Sequence, residues 1–136
     1  MAGLAFQKYW RFVEDLAEGK HALATDNIHG FLTVRAPLGA DMTLGDAQVI
    51  NANWNDAALE GQSLTRAGGV LTFGGTRLAI TVGLVADDAT VRALGLYNGS
   101  NNLLIGYWDL GATMPLRSDA TIWFGKDGPF TVFQLQ

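Results

Sequence analysis

The 136-residue chain contains no cysteine, only two histidines and only three prolines. Without cysteine it forms no disulfide and offers neither a thiolate nucleophile nor a thiolate metal ligand. Charged residues make up 16% of the chain, and 13 acidic against nine basic residues give a net charge of −4, which provides no basic surface for nucleic acid. No apolar run approaches the roughly 20 residues that a membrane-spanning helix requires. We therefore expect neither a nucleic-acid partner nor a membrane partner.

What remains is strongly apolar, because 49% of the residues are hydrophobic. This exceeds what a small monomer needs for its core, so we expect some apolar surface to meet partners. The length suits a single domain over residues 1–136. The N-terminus lacks the basic start and apolar core of a signal peptide, so we expect the protein to act where it is made or to travel within an assembly.

The first part of the chain carries the pattern of an amphipathic helix, predicted over residues 4–18. Charged residues share one face, where Arg11 can pair with Glu14 or Asp15. Gly19 is expected to end the helix in a left-handed conformation. The other face packs either on the core or against another subunit. It is formed by apolar residues three or four positions apart, with Phe12 at its edge: Phe6, Tyr9, Trp10, Val13, Leu16 and Ala17.

From residue 28 onward, short runs of β-branched and aromatic residues alternate with glycine, asparagine and aspartate, which indicates strands. Tight turns are expected to close two hairpins, at 74–76 and at 98–102. The sequence predicts a mainly β fold, with one N-terminal amphipathic helix within residues 1–20 and then an antiparallel β-sandwich or jelly-roll-like barrel over residues 28–136. Residues 37–68 are predicted to be irregular. The expected strands are 28–36, 46–54, 69–73, 77–85, 90–98, 103–110, 113–116, 121–125 and 130–135.

Few residues could carry chemistry. His21, Asp26 and His29 are the best candidates for a metal site, but they fall in a predicted turn, where Asp26 is expected to accept a backbone hydrogen bond. The serines lack the strand-to-helix elbow of a hydrolase, and the adjacent Asp87 and Asp88 point to opposite faces of an extended chain. We therefore predict no enzymatic activity, no metal site and no cofactor.

The segment 93–111, "ALGLYNGSNNLLIGYWDLG", places small polar residues between two apolar runs. With regular alternation, Trp108 shares one strand face with Gly106, and Tyr107 shares the other with Ile105. Both faces are apolar, which predicts cover on both sides, either by the fold itself or by a neighbouring subunit. A sugar-binding platform is the alternative interpretation of the tryptophans, and would be formed by Trp54, Trp108 and Trp123.

Two segments of the chain resemble small virion proteins of tailed bacteriophages. Residues 12–33, "FVEDLAEGKHALATDNIHGFLT", are similar to the opening helix, Asp-containing turn and first strand of those proteins. Residues 93–124 are similar to their closing pattern, in which a strand ending Leu-Tyr-Asn is followed by a polar loop and a Gly-Tyr-Trp-Asp strand. Residues 37–90 have no counterpart in that pattern. The resemblance implies an N-terminal helix followed by a β-sandwich.

The resemblance also implies a non-enzymatic virion structural protein, with a capsid decoration or cement protein that binds and stabilises the outer shell as the first choice. The implied partner is the major capsid protein, the implied state is a homotrimer, and the implied location is the virion, assembled in the host cytoplasm. The alternative is a tail or fibre component that contacts tail proteins, with a carbohydrate-binding surface for host glycans as an optional feature. Because aromatic and arginine residues dominate interfaces, the interface candidates are Tyr9, Trp10, Phe12, Trp54, Arg66, Tyr107 and Trp108.

Overall fold

The computed structural model describes residues 6–41, 58–81, 90–117, 121–124 and 130–135. Over these residues the protein is mainly β, every strand pair is antiparallel, and one short helix lies near the N-terminus. The predicted mainly β class, with one N-terminal helix and antiparallel strands, is therefore confirmed. The elements are β1 (Phe6–Lys8), α1 (Trp10–Ala17), β2 (Ile28–Thr33), β3 (Ser63–Ala67), β4 (Val70–Gly75), β5 (Leu78–Thr81), β6 (Thr90–Asn98), β7 (Leu104–Pro115), β8 (Thr121–Phe124) and β9 (Phe130–Leu135).

The strands form three sheets. The largest has four strands in the order β1-β7-β6-β2, the second has the order β3-β4-β9, and β5 pairs with β8. The N-terminal strand therefore lies beside a strand from the last third of the chain. The predicted strand 46–54 and half of the predicted irregular region 37–68 lie outside the described residues, and β3 falls within the other half of that region.

The hairpin of β6 and β7 is confirmed, with its turn at residues 98–102. The prediction of a separate strand at 113–116 is wrong, because β7 continues through Gly111 to Pro115. Gly111 has φ 83°, a conformation that suits glycine, and it lets the strand change direction without ending. Pairing with β6 resumes where Met114 lies opposite Val91.

The predicted hairpin around residues 74–76 is wrong, because β4 pairs with β3 and β9, whereas β5 pairs with β8. The turn lies instead at Gly68 and Gly69, whose φ values of 58° and 81° fit a tight hairpin between β3 and β4. Gly74 and Gly75 allow close packing within the strand. A Cβ at Gly74 would overlap the carbonyl oxygen of Phe130 in β9.

The predicted helix began too early. Phe6–Lys8 form a strand that pairs with residues 106–108 of β7, so α1 starts only at Trp10. Gly19 has φ 77° directly after the helix, which confirms the predicted left-handed stop. The sequence pattern of Phe6 fits a helix and a strand equally well, and the available partner strand decides between them.

The helix also presents a different face from the one predicted. Phe12 is fully buried and Asp15 nearly so, whereas Trp10 and Val13 are exposed. Asp15 tolerates burial because Arg11 Nε lies 3.2 Å from its carboxylate, in the predicted pairing, and Lys20 Nζ lies 3.6 Å away. The apolar stripe that was expected to meet the core therefore faces outward in part.

Two apolar clusters cover the opposite faces of the four-stranded sheet. The larger cluster joins that sheet to the other two sheets and to Phe12 of α1. The smaller cluster consists of Tyr9, Phe31, Tyr97, Leu104 and Tyr107. Both faces of β7 are thus covered within the fold from Leu104 to Trp108, so this part of the strand needs no neighbouring subunit as cover, whereas its end from Gly111 to Pro115 is exposed.

Candidate functional site

Tyr107 and Trp108 lie on opposite faces of β7, as predicted. Tyr107 belongs to the smaller cluster, and Trp108 belongs to the larger one. The predicted partnership of Tyr107 with Ile105 is wrong, because Ile105 packs with Trp108 instead. The cause is a β-bulge: Leu96 pairs with Gly106 and Tyr97 pairs with Leu104, which leaves Ile105 as an extra residue.

Four of the seven interface candidates have almost no surface. Tyr9 and Phe12 are fully buried, Trp108 is 4% exposed, and Tyr107 is buried in the smaller cluster. The Phe6 ring packs against Trp108 with centroids 4.8 Å apart, and Tyr9 packs against Tyr107 with centroids 5.0 Å apart. Side chains that are buried by their own chain do not contact a partner directly in this conformation. Their predicted interface role is corrected to a packing role.

Trp10 is the exposed candidate on α1. Its side chain is 73% exposed, that of Val13 is 50% exposed, and that of Leu38 in the loop after β2 is 58% exposed. The Trp10 ring covers Gly39, where a Cβ would overlap the indole. The backbone N–H of Trp10 donates to the Gly39 carbonyl at 2.8 Å. We call Trp10, Val13 and Leu38 the apolar patch.

Arg66 is exposed on β3, at a groove of about 410 Å³ between the β3–β4 hairpin and the loop after α1. Leu16, Leu23, Leu64 and Leu71 supply most of its apolar lining. Arg66 has no ion pair among the described residues. Its predicted role at an interface stays a prediction.

The proposed sugar platform does not assemble from the residues that can be placed. Trp108 is buried, Trp54 lies outside the described residues, and the side chain of Trp123 is likewise outside them. Sequence reasoning missed that the loop after β2 folds back onto the start of α1, where Gly39 contacts Trp10. No local pattern in either segment indicates this contact.

A buried polar cluster joins the loop after α1 to the turn of the β6–β7 hairpin. Asn98, which is fully buried, donates from Nδ2 to Asp26 Oδ2 at 2.6 Å, and the same nitrogen lies 3.1 Å from His21 Nδ1. Asn98 Oδ1 accepts the Ser100 N–H at 2.9 Å, and Asp26 accepts the Ala22 N–H at 2.8 Å. The backbone bond predicted for Asp26 is thus confirmed. We call His21, Asp26 and Asn98 the polar junction.

The charges at the polar junction follow from these bonds. The hydrogen bonds from the Ala22 N–H and the Asn98 amide hold the pKa of Asp26 below its usual value, so its carboxylate stays ionised. Burial lowers the pKa of His21, against the opposing attraction of Asp15 and Asp26. At neutral pH the junction therefore holds a neutral imidazole beside an ionised carboxylate.

A metal or catalytic role finds no support in this cluster. Among the described residues, no group of three or more histidine, aspartate or glutamate side chains is arranged to hold a metal ion. His21 and Asp26 are both engaged by Asn98, an arrangement that fixes two chain segments to each other. Among the residues that the structure describes, no helix is long and apolar enough to span a bilayer.

Asp109, the last polar residue of the sequence segment around the hairpin, also has a structural role. Arg92 Nε donates to Asp109 Oδ1 at 2.8 Å and Nη2 donates to Oδ2 at 3.3 Å, which joins β6 to β7. Asp109 Oδ1 also accepts the Gly111 N–H at 2.8 Å. The hydrogen bond from Arg92 is the main reason that the pKa of Asp109 lies below its usual value.

Comparison of the chain with protein-family models, with curated proteins and with solved structures finds no match, so similarity assigns it to no family. The geometry defines two outward-facing surfaces, the apolar patch and the groove at Arg66. The polar junction, which is only partly exposed, ties two chain segments together.

Proposed function

We propose that this protein is a non-enzymatic virion structural protein that binds a capsid through the apolar patch, as a decoration or cement protein. The observation that carries the proposal is the outward apolar stripe of α1, where Trp10 and Val13 are exposed while Asp15 of the same helix is buried. In a monomer the exposed apolar surface of Trp10 and Val13 stays in contact with water. A partner surface that covers it removes this apolar surface from water, which favours binding.

The resemblance to small tailed-phage virion proteins supports the same proposal. Its two segments, 12–33 and 93–124, lie together in the fold, because β2 pairs with β6 and Asp26 binds Asn98. They therefore build one structural unit. A structural unit of this kind, next to the exposed side chains of Trp10 and Val13, suits a protein whose role is attachment.

The finer architecture belongs to the proposal as well. We infer that the four-stranded and three-stranded sheets form the two layers of a β-sandwich, because the Phe6 ring of β1 stacks on Phe133 of β9 with centroids 5.8 Å apart. Jelly-roll connectivity stays a prediction. In the virion, three copies are expected to associate and to span neighbouring subunits of the major capsid protein, with interfaces on the order of 1,000 Å².

Co-sedimentation with undecorated capsids tests the proposal. Wild-type protein should bind at a fixed copy number per shell, and Trp10→Ala should lose at least about tenfold in affinity, since central tryptophans commonly contribute 2 kcal/mol or more. Met114→Ala is the matched control, because Met114 is an exposed apolar residue on β7, outside the patch. Its binding should equal that of the wild type.

Two results would contradict the proposal in different ways. Absence of binding to any shell, with the protein found in purified tails by imaging, would favour the tail or fibre alternative. Shell binding that is unchanged in Trp10→Ala would retain the decoration role and exclude the apolar patch as the contact. Multi-angle light scattering of the free protein tests the trimer separately.

A further inference from the structure

We propose that the polar junction is an acid-sensitive latch: protonation of His21 breaks its hydrogen bond with Asn98 and releases the β6–β7 turn from the loop after α1. The proposal goes beyond the attachment role and does not depend on it. It rests on the fixed orientation of the buried Asn98 amide. This orientation is compatible with only one protonation state of His21.

The amide of Asn98 can adopt only one orientation. Its Oδ1 accepts the Ser100 N–H at 2.9 Å, and its Nδ2 donates to the Asp26 carboxylate at 2.6 Å. Turning the amide over would place oxygen against the carboxylate and nitrogen against an N–H, which loses both bonds. Nδ2 therefore faces His21 as a donor.

This orientation determines the tautomer of His21. Because Asn98 Nδ2 is a donor and lies 3.1 Å from His21 Nδ1, Nδ1 must be unprotonated and accept the bond. The hydrogen of the neutral ring then resides on Nε2, which is buried and has no hydrogen-bond partner among the described residues. A proton from solvent adds to the Nδ1 lone pair, and the imidazolium N–H then opposes the amide N–H of Asn98.

The charged groups around His21 come from each neighbouring element. From α1, Asp15 favours the imidazolium, but it already pairs with Arg11 and Lys20. From the loop, Asp26 favours it as well, but its Oδ2 already accepts hydrogen bonds from Asn98 and Ala22. From β3, Arg66 lines the same groove and adds positive charge. From the opposite side, Phe12 supplies an aromatic ring at 5.2 Å.

Burial outweighs the acidic neighbours, so the pKa of His21 lies below its usual value of 6.5 in the latched structure. Once the loop leaves the turn, the ring is solvated and its pKa rises again. Linkage then requires that acid favours the open form, because the open form binds the proton on His21 more tightly than the latched form does.

Other bonds at the junction show what would be released. Gly99 N–H donates to the Asn27 carbonyl at 2.7 Å, and Asn101 Nδ2 donates to the Lys20 carbonyl at 2.6 Å. These bonds join the same two segments, and they hold only while the segments stay together. Opening should therefore expose the amides of the turn and of the loop, whereas the paired strands of the hairpin remain protected.

NMR of the full chain tests the latch. At pH 7.5 the ring nitrogens of His21 should show the Nε2–H tautomer. Between pH 7.5 and 5, hydrogen-exchange protection of Gly99 and Ala22, corrected for intrinsic exchange rates, should fall about tenfold or more with a midpoint equal to that of His21. The Leu94 amide, in the middle of β6, should keep its protection.

His21→Asn is the informative variant, because its side-chain oxygen takes the place of Nδ1 as an acceptor and does not titrate. Protection of Gly99 should then be independent of pH over this range. His29→Asn is the matched control, since His29 lies beside Gly99 on β2; this variant should keep the wild-type pH dependence.

Three results would overturn the proposal. They are an Nδ1–H tautomer at pH 7.5, a loss of protection whose midpoint follows His29, and an unchanged pH dependence in His21→Asn. The first two are measured on wild-type protein, so they decide the matter even if the variant does not fold.

Discussion

The β6–β7 hairpin and the outer face of α1 each carry a tryptophan, but the two side chains meet opposite environments. Trp108 packs against Phe6 and is 4% exposed, whereas Trp10 covers a glycine and is 73% exposed. Both belong to apolar stripes in the sequence. The difference shows that an apolar stripe in this protein has two uses, one for the free energy of folding and one for a surface. The following predictions separate them by the size of the loss in stability.

The largest loss is expected for Trp108→Ala. The substitution leaves a cavity between the sheets, and such truncations cost about 3–5 kcal/mol of the free energy of unfolding. Chemical denaturation of the monomer measures it. A loss below about 1 kcal/mol, together with failed capsid attachment, would indicate that Trp108 contacts a partner and is not a core residue.

A smaller loss is expected for Gly95→Ala, on the face of the four-stranded sheet opposite Trp108. An added Cβ at Gly95 would overlap the fully buried ring of Phe31. Overpacking of this kind costs about 1–3 kcal/mol. Phe31→Leu in the same chain should recover part of the loss, so a double-mutant cycle should show favourable coupling. Strictly additive losses would mean that the ring does not rest on Gly95.

A still smaller and pH-dependent loss is expected for Asp109→Asn, which removes the partner of Arg92. Because the folded-state pKa of Asp109 is lowered, its stabilising contribution is complete above the ordinary value of 3.8 and disappears as the pH falls through the lowered value. Thermal unfolding at pH 7 and at pH 2.5 should therefore differ less for the variant than for the wild type.

Glu60→Gln is the matched control for Asp109→Asn, because Glu60 pairs with Arg77 at 3.2 Å where both side chains are about half exposed. Such a pair contributes little, so this variant should follow the wild type at both pH values. Equal behaviour of the two variants would show that the partial burial of Asp109 gives its pair no advantage.

The smallest change in stability is expected for Trp10→Ala. The side chain is exposed at the start of α1, so its removal should alter the free energy of unfolding by less than about 0.5 kcal/mol. Chemical denaturation under the conditions used for Trp108→Ala gives a direct comparison. A loss of 2 kcal/mol or more would make Trp10 part of the folding core and weaken its assignment to a surface.

The hairpin was predictable because its signals are local. Two β-branched and aromatic runs enclose the turn from Asn98 to Asn102, and no distant partner is needed to recognise it. The pairing of β4 with β9 was not predictable, because Gly74 serves the approach of a strand about 55 residues away in sequence.

The helix face was not predictable from periodicity alone. With Phe6 counted as helical, the apolar residues of the segment point to one side. In the structure, Phe6–Lys8 instead pair with β7 as a strand, and the helix has only eight residues. Its inner face is then formed by Phe12 and Leu16. The polar junction escaped prediction because Asn98 and His21 lie 77 residues apart, although the turn around Asp26 was recognisable.

The contact between Trp10 and Gly39 has a consequence for the thermodynamics of attachment. The indole rests on Gly39, and the backbone N–H of Trp10 donates to the Gly39 carbonyl, so the start of the helix and the ring are positioned against the loop before any partner arrives. A side chain that is ordered in advance loses little conformational entropy on binding. Such an anchor lets a small contact area support a long residence time, which the proposed attachment to a capsid would require.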